Sequence, residues 1–220
     1  MPYEFCMWLN GNALVLLPRA WAATEVDAQL DVQLAAYVKA EHEFSMFHEY
    51  WDWCAEYRES QRDFGCSFVE IKPAERPKAV SQPFKCLRET VLAALPVQYR
   101  DGAMRCLDAF CLPPEHAALK ALWVECVRPA QSGKPSTLVT ELRVVMPGVI
   151  IVSAQLRFES QVSVEVDWSR QRFDSASLGD ISIQCTQYLI NDVVLNSIRD
   201  ELHQRYAPLR AAYSLKMPTV

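Results

Sequence analysis

Between residues 138 and 168 the side chains alternate with a strict period of two, and a stretch of that kind has few options besides paired antiparallel strands. Leu138, Thr140, Leu142, Val144 and Met146 alternate with Val139, Glu141, Arg143 and Val145, and Pro147-Gly148 then turns the chain. Ile150, Val152, Ala154, Leu156 and Phe158 alternate with Ser153, Gln155, Arg157 and Glu159. After Ser160-Gln161, the run Val162, Val164, Val166 and Trp168 alternates with Ser163, Glu165 and Asp167. The pattern predicts a three-stranded meander with one face buried and one face wet. Ile181–Leu189 offers a fourth strand.

The rest of the chain supplies helices and one further hairpin. Tyr3, Phe5, Met7 and Leu9 share a face, Asn10-Gly11 forms a turn, and Leu14–Leu17 returns as a second strand. From Glu25 to Asp63 there is no Gly or Pro, which predicts one long helix or two in tight succession. Thr24 with Asp27 resembles a capping box at its start, and Gly65 ends it. A strand follows at Ser67–Ile71. Helices are expected over Ser81–Leu95 and Tyr99–Phe110; Glu115–Val127 reads as helix at first and as helix or strand from Leu122. Asn191 can cap a last helix, with Pro208 just beyond its end. Without βαβ alternation or a repeat, the fold class is α+β, an antiparallel β-meander packed with several helices including one long N-terminal helix. Residues 1–220 read as a single domain, with the two prolines between Lys72 and Ser81 marking the place where a subdivision remains open.

Composition narrows the function classes. The chain of 220 residues carries a net charge of −5 with its Lys and Arg scattered, unlike the basic stripe of a nucleic-acid binder. No basic residue precedes Arg19, and neither Phe5–Leu9 nor Ala13–Leu17 is long enough to span a bilayer, so a cytoplasmic protein without a membrane segment is expected. The eight cysteines form no close pairs, and in a reducing compartment they read as buried thiols.

Catalytic and metal motifs fail on geometry. His42 and His48 are six residues apart, where a helical zinc-protease motif needs four. His48 and Asp52 sit at i,i+4 and read as a surface hydrogen-bonded pair. Cys106, Cys111 and His116 have half of a zinc pattern and no second close pair. There is no G-x-S-x-G elbow and no phosphate-cradling glycine loop. Cys54 or Cys66 with His48 is a Cys-His combination that only folding could bring together. The expectation is a protein without cofactor or metal that is not an enzyme.

The Gly-free segment carries the feature of most interest. At about 100° per residue, Phe44, Phe47, Trp51, Cys54 and Ala55 continue a core stripe from Leu30, Leu34 and Tyr37. Met46, Tyr50, Trp53 and Tyr57 form a second apolar stripe, and Glu41, Glu49, Asp52, Glu56, Glu59 and Asp63 fill a sector between them. Either the helix is sandwiched between layers, or the second stripe is an exposed aromatic surface beside carboxylates that attracts a basic partner. The second reading makes Glu41, Glu49, Tyr50, Asp52, Trp53, Glu56 and Tyr57 the partner-binding residues.

In general character, the hairpin at Tyr3–Leu17, this aromatic–acidic stripe and the meander at Leu138–Trp168 resemble the immunity proteins of bacterial type VI and other polymorphic toxin systems. The resemblance implies a protein that binds and neutralises a cognate toxin, such as a nuclease with a basic active site. An enzyme or zinc protein with an unrecognised site, and a structural subunit or chaperone of a larger assembly, are the alternative classes.

Overall fold

A computed structural model describes residues 3–76, 80–111, 116–131 and 133–217. The alternating segment forms its first two strands as expected. β5 (Ser136–Met146) and β6 (Ile150–Ser160) pair antiparallel from Ser136↔Ser160 to Met146↔Ile150. The third strand of the ladder is not Val162–Trp168, which runs through turns and unpaired segments. It is β7 (Leu178–Ile190), thirteen residues long, which pairs along β6 and covers the expected fourth strand. Val164 and Trp168 are buried all the same, and the backbone there is satisfied by side chains instead of a ladder. Trp123 Nε1 donates to the Val164 carbonyl at 2.8 Å, and Gln171 Nε2 donates to the Ser163 carbonyl at 2.8 Å.

β1 (Phe5–Asn10) and β2 (Ala13–Pro18) make the expected hairpin, closed by Gly11-Asn12, one residue later than the sequence suggested. Gly11 has φ +55°, and a Cβ there would lie 2.9 Å from the Tyr37 ring, so glycine is needed for both conformation and space. β2 then pairs parallel to β5, and β3 (Cys66–Ile71) pairs antiparallel to β7 with a bulge between Phe68 and Glu70. Two short strands complete the set: β4 (Val127–Arg128) on β5 and β8 (Ser214–Lys216) on β1. The result is an eight-stranded mixed, mostly antiparallel sheet ordered β3-β7-β6-β5-β2-β1-β8, with β4 beside β5. Strands from both sides of residues 72–81 belong to this one sheet.

Helices cover both of its faces, so the wet face predicted for the meander does not exist: every residue of β5 is buried. On one face lie α3 (Pro83–Ala94), α4 (Val97–Cys111) and α5 (His116–Cys126), packed on Leu138, Leu142, Val144, Val152 and Leu156. On the other lie α1 (Ala23–Glu43), α2 (Tyr50–Asp63) and α6 (Asp192–Tyr213), packed on Val15, Leu17, Val139, Val145 and Ile151. Gly102, the odd residue inside α4, sits where a Cβ would collide with the Tyr3 carbonyl, so its absence of side chain lets α4 reach β1.

The single long N-terminal helix is also corrected. α1 ends at Glu43, six residues intervene, and α2 runs back along α1, with Gln33 meeting Tyr57 and Tyr37 meeting Trp53. No Gly or Pro marks this break. Two local bonds and one long-range contact lie there: Met46 N donates to Glu41 Oε1 at 3.2 Å, Ser45 N donates to Glu49 Oε2 at 3.3 Å, and Asn12 Nδ2 of the hairpin turn reaches Met46 Sδ at 3.7 Å. α1 starts after Ala22, whose N–H donates to Glu25 at 2.8 Å, rather than at a Thr24 cap. Asn191 caps α6 as expected, accepting from Val193 N at 2.9 Å, and the helix continues through Pro208 to Tyr213. No helix among the described residues is long and apolar enough to cross a membrane.

Candidate functional site

The break between α1 and α2 resets the helical phase, and that decides which of the two apolar stripes is covered. Met46, Tyr50, Trp53 and Tyr57 turn inward; Trp53 is 0 % exposed and Tyr57 1 %, their rings stacked with centroids 4.9 Å apart. Trp51 is left 51 % exposed on the outer side, next to exposed Ala55. The stripe expected to face the core is thus partly outside, and of the two readings of the aromatic stripe, covered between layers or exposed to a partner, the structure has it covered. Tyr50, Trp53 and Tyr57 are not available to a partner in this conformation.

Beneath α1 and α2 the sheet carries a closed polar network. Glu141 and Arg143, both 1 % exposed, lie on the inner face of β5, with Arg143 Nε 3.1 Å from Glu141 Oε1. Tyr57 OH donates to Glu141 Oε2 at 2.6 Å and accepts from Arg143 Nη2 at 3.1 Å and Gln33 Nε2 at 3.3 Å. Ser153 Oγ donates to Glu141 as well, and the Arg143 guanidinium lies 5.4 Å from the centre of the Tyr188 ring. Burial lowers the affinity of Arg143 for its proton, but the Glu141 carboxylate outweighs it and the pKa rises. Burial raises the pKa of Tyr57 and Tyr188 well above that of a free phenol. These charges are paired and sealed from solvent, so their chemistry is that of a clamp between helices and sheet.

The carboxylates of the expected site separate into three environments. Glu41 is half-buried and accepts from Met46 N; burial raises its pKa, against the lowering effect of that bond and of the Trp53 indole, and the nearby Glu125 adds to the rise. Glu56 is half-buried and held by Lys39 Nζ at 3.3 Å and Ser60 Oγ at 3.1 Å. Glu49 and Asp52 are exposed, flank Trp51, and make no ion pair among the described residues. Cations meet the acidic sector at its far end: Lys39 of α1 reaches Asp63 at 3.0 Å, and Arg62 reaches Glu59 at 2.7 Å.

What the sequence could not show is how charge divides between the two helical layers. α1, α2 and α6 together hold twelve Asp and Glu against six Lys and Arg, a net of −6, whereas α3, α4 and α5 hold four against five, a net of +1. The whole chain carries −5, so its acidity is that of one face. On that face a groove of about 640 Å³ opens between α1 and α6, lined by Val38, Phe64, Ile198, Leu202 and Tyr206 with Glu201 at its edge. It involves none of the seven expected residues.

The rejected motifs stay apart. His48 meets Arg128, with Nη1 2.7 Å from Nε2, rather than Asp52. Burial pushes the Cys54 and Cys66 thiols up to about 12, the opposite of an activated nucleophile. Cys106 Sγ donates to the Phe5 carbonyl at 3.7 Å; the side chain of His116 lies outside the described residues. Among the described residues no three His, Cys, Asp or Glu side chains are grouped to hold a metal ion. No family model matches the chain, and no curated protein matches it.

Proposed function

We propose that this is a non-enzymatic binding protein that covers a basic protein partner with its α1/α2/α6 face, and that it acts as an immunity protein neutralising a toxin, such as a nuclease with a basic active site. The observation that carries this reading is the −6 charge of one helical layer set against +1 on the other. A one-sided negative field speeds encounter with a cationic surface and selects against acidic partners. Half-exposed Trp51 between Glu49 and Asp52 supplies the aromatic contact that such surfaces place at their centre.

Co-expression tests it. A toxin encoded beside this gene should arrest growth when expressed alone and lose that effect when this protein is present, with the two recovered as one complex. Growth arrest that persists undiminished, with no complex on size exclusion, contradicts the proposal.

A further inference from the structure

The two helical layers meet at a gap in the sheet. β2 and β4 lie along the same edge of β5, at Ala13↔Glu141 and Val127↔Leu138, and the Gly11-Asn12 turn fills the space between them. There the Asn12 carbonyl accepts from Thr140 Oγ1 at 2.9 Å and from Glu141 N at 3.1 Å. Tyr37 of α1 passes this turn with its ring against Gly11, and its hydroxyl donates to Glu125 Oε2 of α5 at 3.0 Å. Glu41 stands four residues on, one turn along the same face of α1, so a second half-buried carboxylate shares the surroundings of that phenol. Glu41 also accepts from Met46 N in the connection to α2. The other groups around the pair are Cys126 of α5, the Trp53 indole of α2 and the Tyr213 ring of α6, 6.3 Å from that of Tyr37. The cations of these elements are turned elsewhere: Arg128 of β4 meets His48 at 2.7 Å, Lys39 is held by Glu56 and Asp63, and His42 lines the gap towards α6. Neither Glu41 nor Glu125 has an ion pair among the described residues.

Two carboxylates drawn from opposite layers, partly out of water and without a cation, resist being ionised together. We infer that Glu41 is a proton-operated latch between the layers: neutral Glu41 leaves the Tyr37–Glu125 bridge to hold α5 against α1, and ionised Glu41 opposes Glu125 and loosens that bridge. Burial raises the pKa of Glu41, and Glu125 adds to the rise. The folded chain thus keeps this proton longer than the unfolded one. The latch's contribution is fully present below the usual glutamate value of about 4.3 and is lost as pH rises through the higher folded value.

Glu41→Gln keeps an acceptor for Met46 N and fixes the neutral form, so the full chain can be compared with its latch closed at every pH. Its melting temperature should exceed that of the wild type by about 2–4 °C at pH 7.5 and match it at pH 4. Amide hydrogen exchange over Leu122–Cys126 should be about fivefold slower in Glu41→Gln than in the wild type at pH 7.5 and equal at pH 4. Glu125→Gln removes the opposing charge and leaves Tyr37 an acceptor. In that background the gain from Glu41→Gln at pH 7.5 should shrink, which a carboxyl group that is merely buried would not show. Equal melting temperatures at pH 7.5, a Glu41→Gln effect that is the same at both pH values, a gain undiminished in Glu125→Gln, or unchanged exchange in α5 overturns the latch.

Discussion

Glu141 and Arg143 sit two residues apart on β5, at positions where the alternation of a strand promised water and the structure supplies none. Tyr57 is the hub that makes this tolerable, giving one hydrogen bond to the carboxylate and accepting two from Arg143 and Gln33. Tyr57→Phe should therefore cost about 1–3 kcal/mol in urea unfolding, because buried donors lose their acceptor. Arg143→Met should cost about 3–5 kcal/mol by leaving Glu141 buried and unpaired. A Tyr57→Phe protein as stable as the wild type would show that the network adds nothing. The buried thiols set a second expectation. Cys54 and Cys66 titrate near 9 when unfolded and near 12 when folded, so the folded state holds its protons longer. Their contribution is fully present below pH 9 and is lost as pH rises towards 12. Unfolding free energy should fall over that range, and the Cys54→Ala/Cys66→Ala protein should show a shallower fall. An identical alkaline slope in both would contradict it.

At the scale of elements, legibility followed how local the determining interaction is. The β1–β2 hairpin, β5, β6, the start of α3 at Pro83 and the Asn191 cap of α6 rest on neighbours in sequence, and the chain displays them. The α1–α2 break carries no breaker residue, and the contact of Met46 with Asn12, thirty-four residues away, is invisible along the chain. A continuous 100° phase carried across that break put Trp51 in the core stripe and left open whether the Tyr50/Trp53/Tyr57 stripe is covered; the structure buries the latter and exposes Trp51. Val162–Trp168 misled for a related reason: its apolar residues alternate in sequence, but β7 occupies the ladder they would need and only Val164 and Trp168 of the four are buried. Gly102, inside α4, is a point of contact with Tyr3 that the sequence does not reveal. Gly102→Ala should gain local helix propensity yet cost about 1–3 kcal/mol through forced separation of α4 from β1, as overpacking does. A rise in melting temperature would mean that α4 does not approach Tyr3 as described.

For the whole molecule the important quantity is the distribution of charge between the two helical layers, which only the three-dimensional arrangement reveals. Glu49 and Asp52 remain candidate contacts from the original seven, Glu41 and Glu56 are tied into the structure, and the three aromatics are core. Exposed Asp200 on α6 extends the same negative face. For the proposed immunity role, the most direct measurement is calorimetric titration of a toxin encoded beside this gene into wild type and into Glu49→Lys/Asp52→Lys/Asp200→Lys, with Lys85→Glu/Arg105→Glu on the opposite layer as control. The account predicts an affinity loss of at least about tenfold in the first variant, steeper at low salt, and little change in the control. Equal affinity for wild type and the triple variant, both folded, would contradict it.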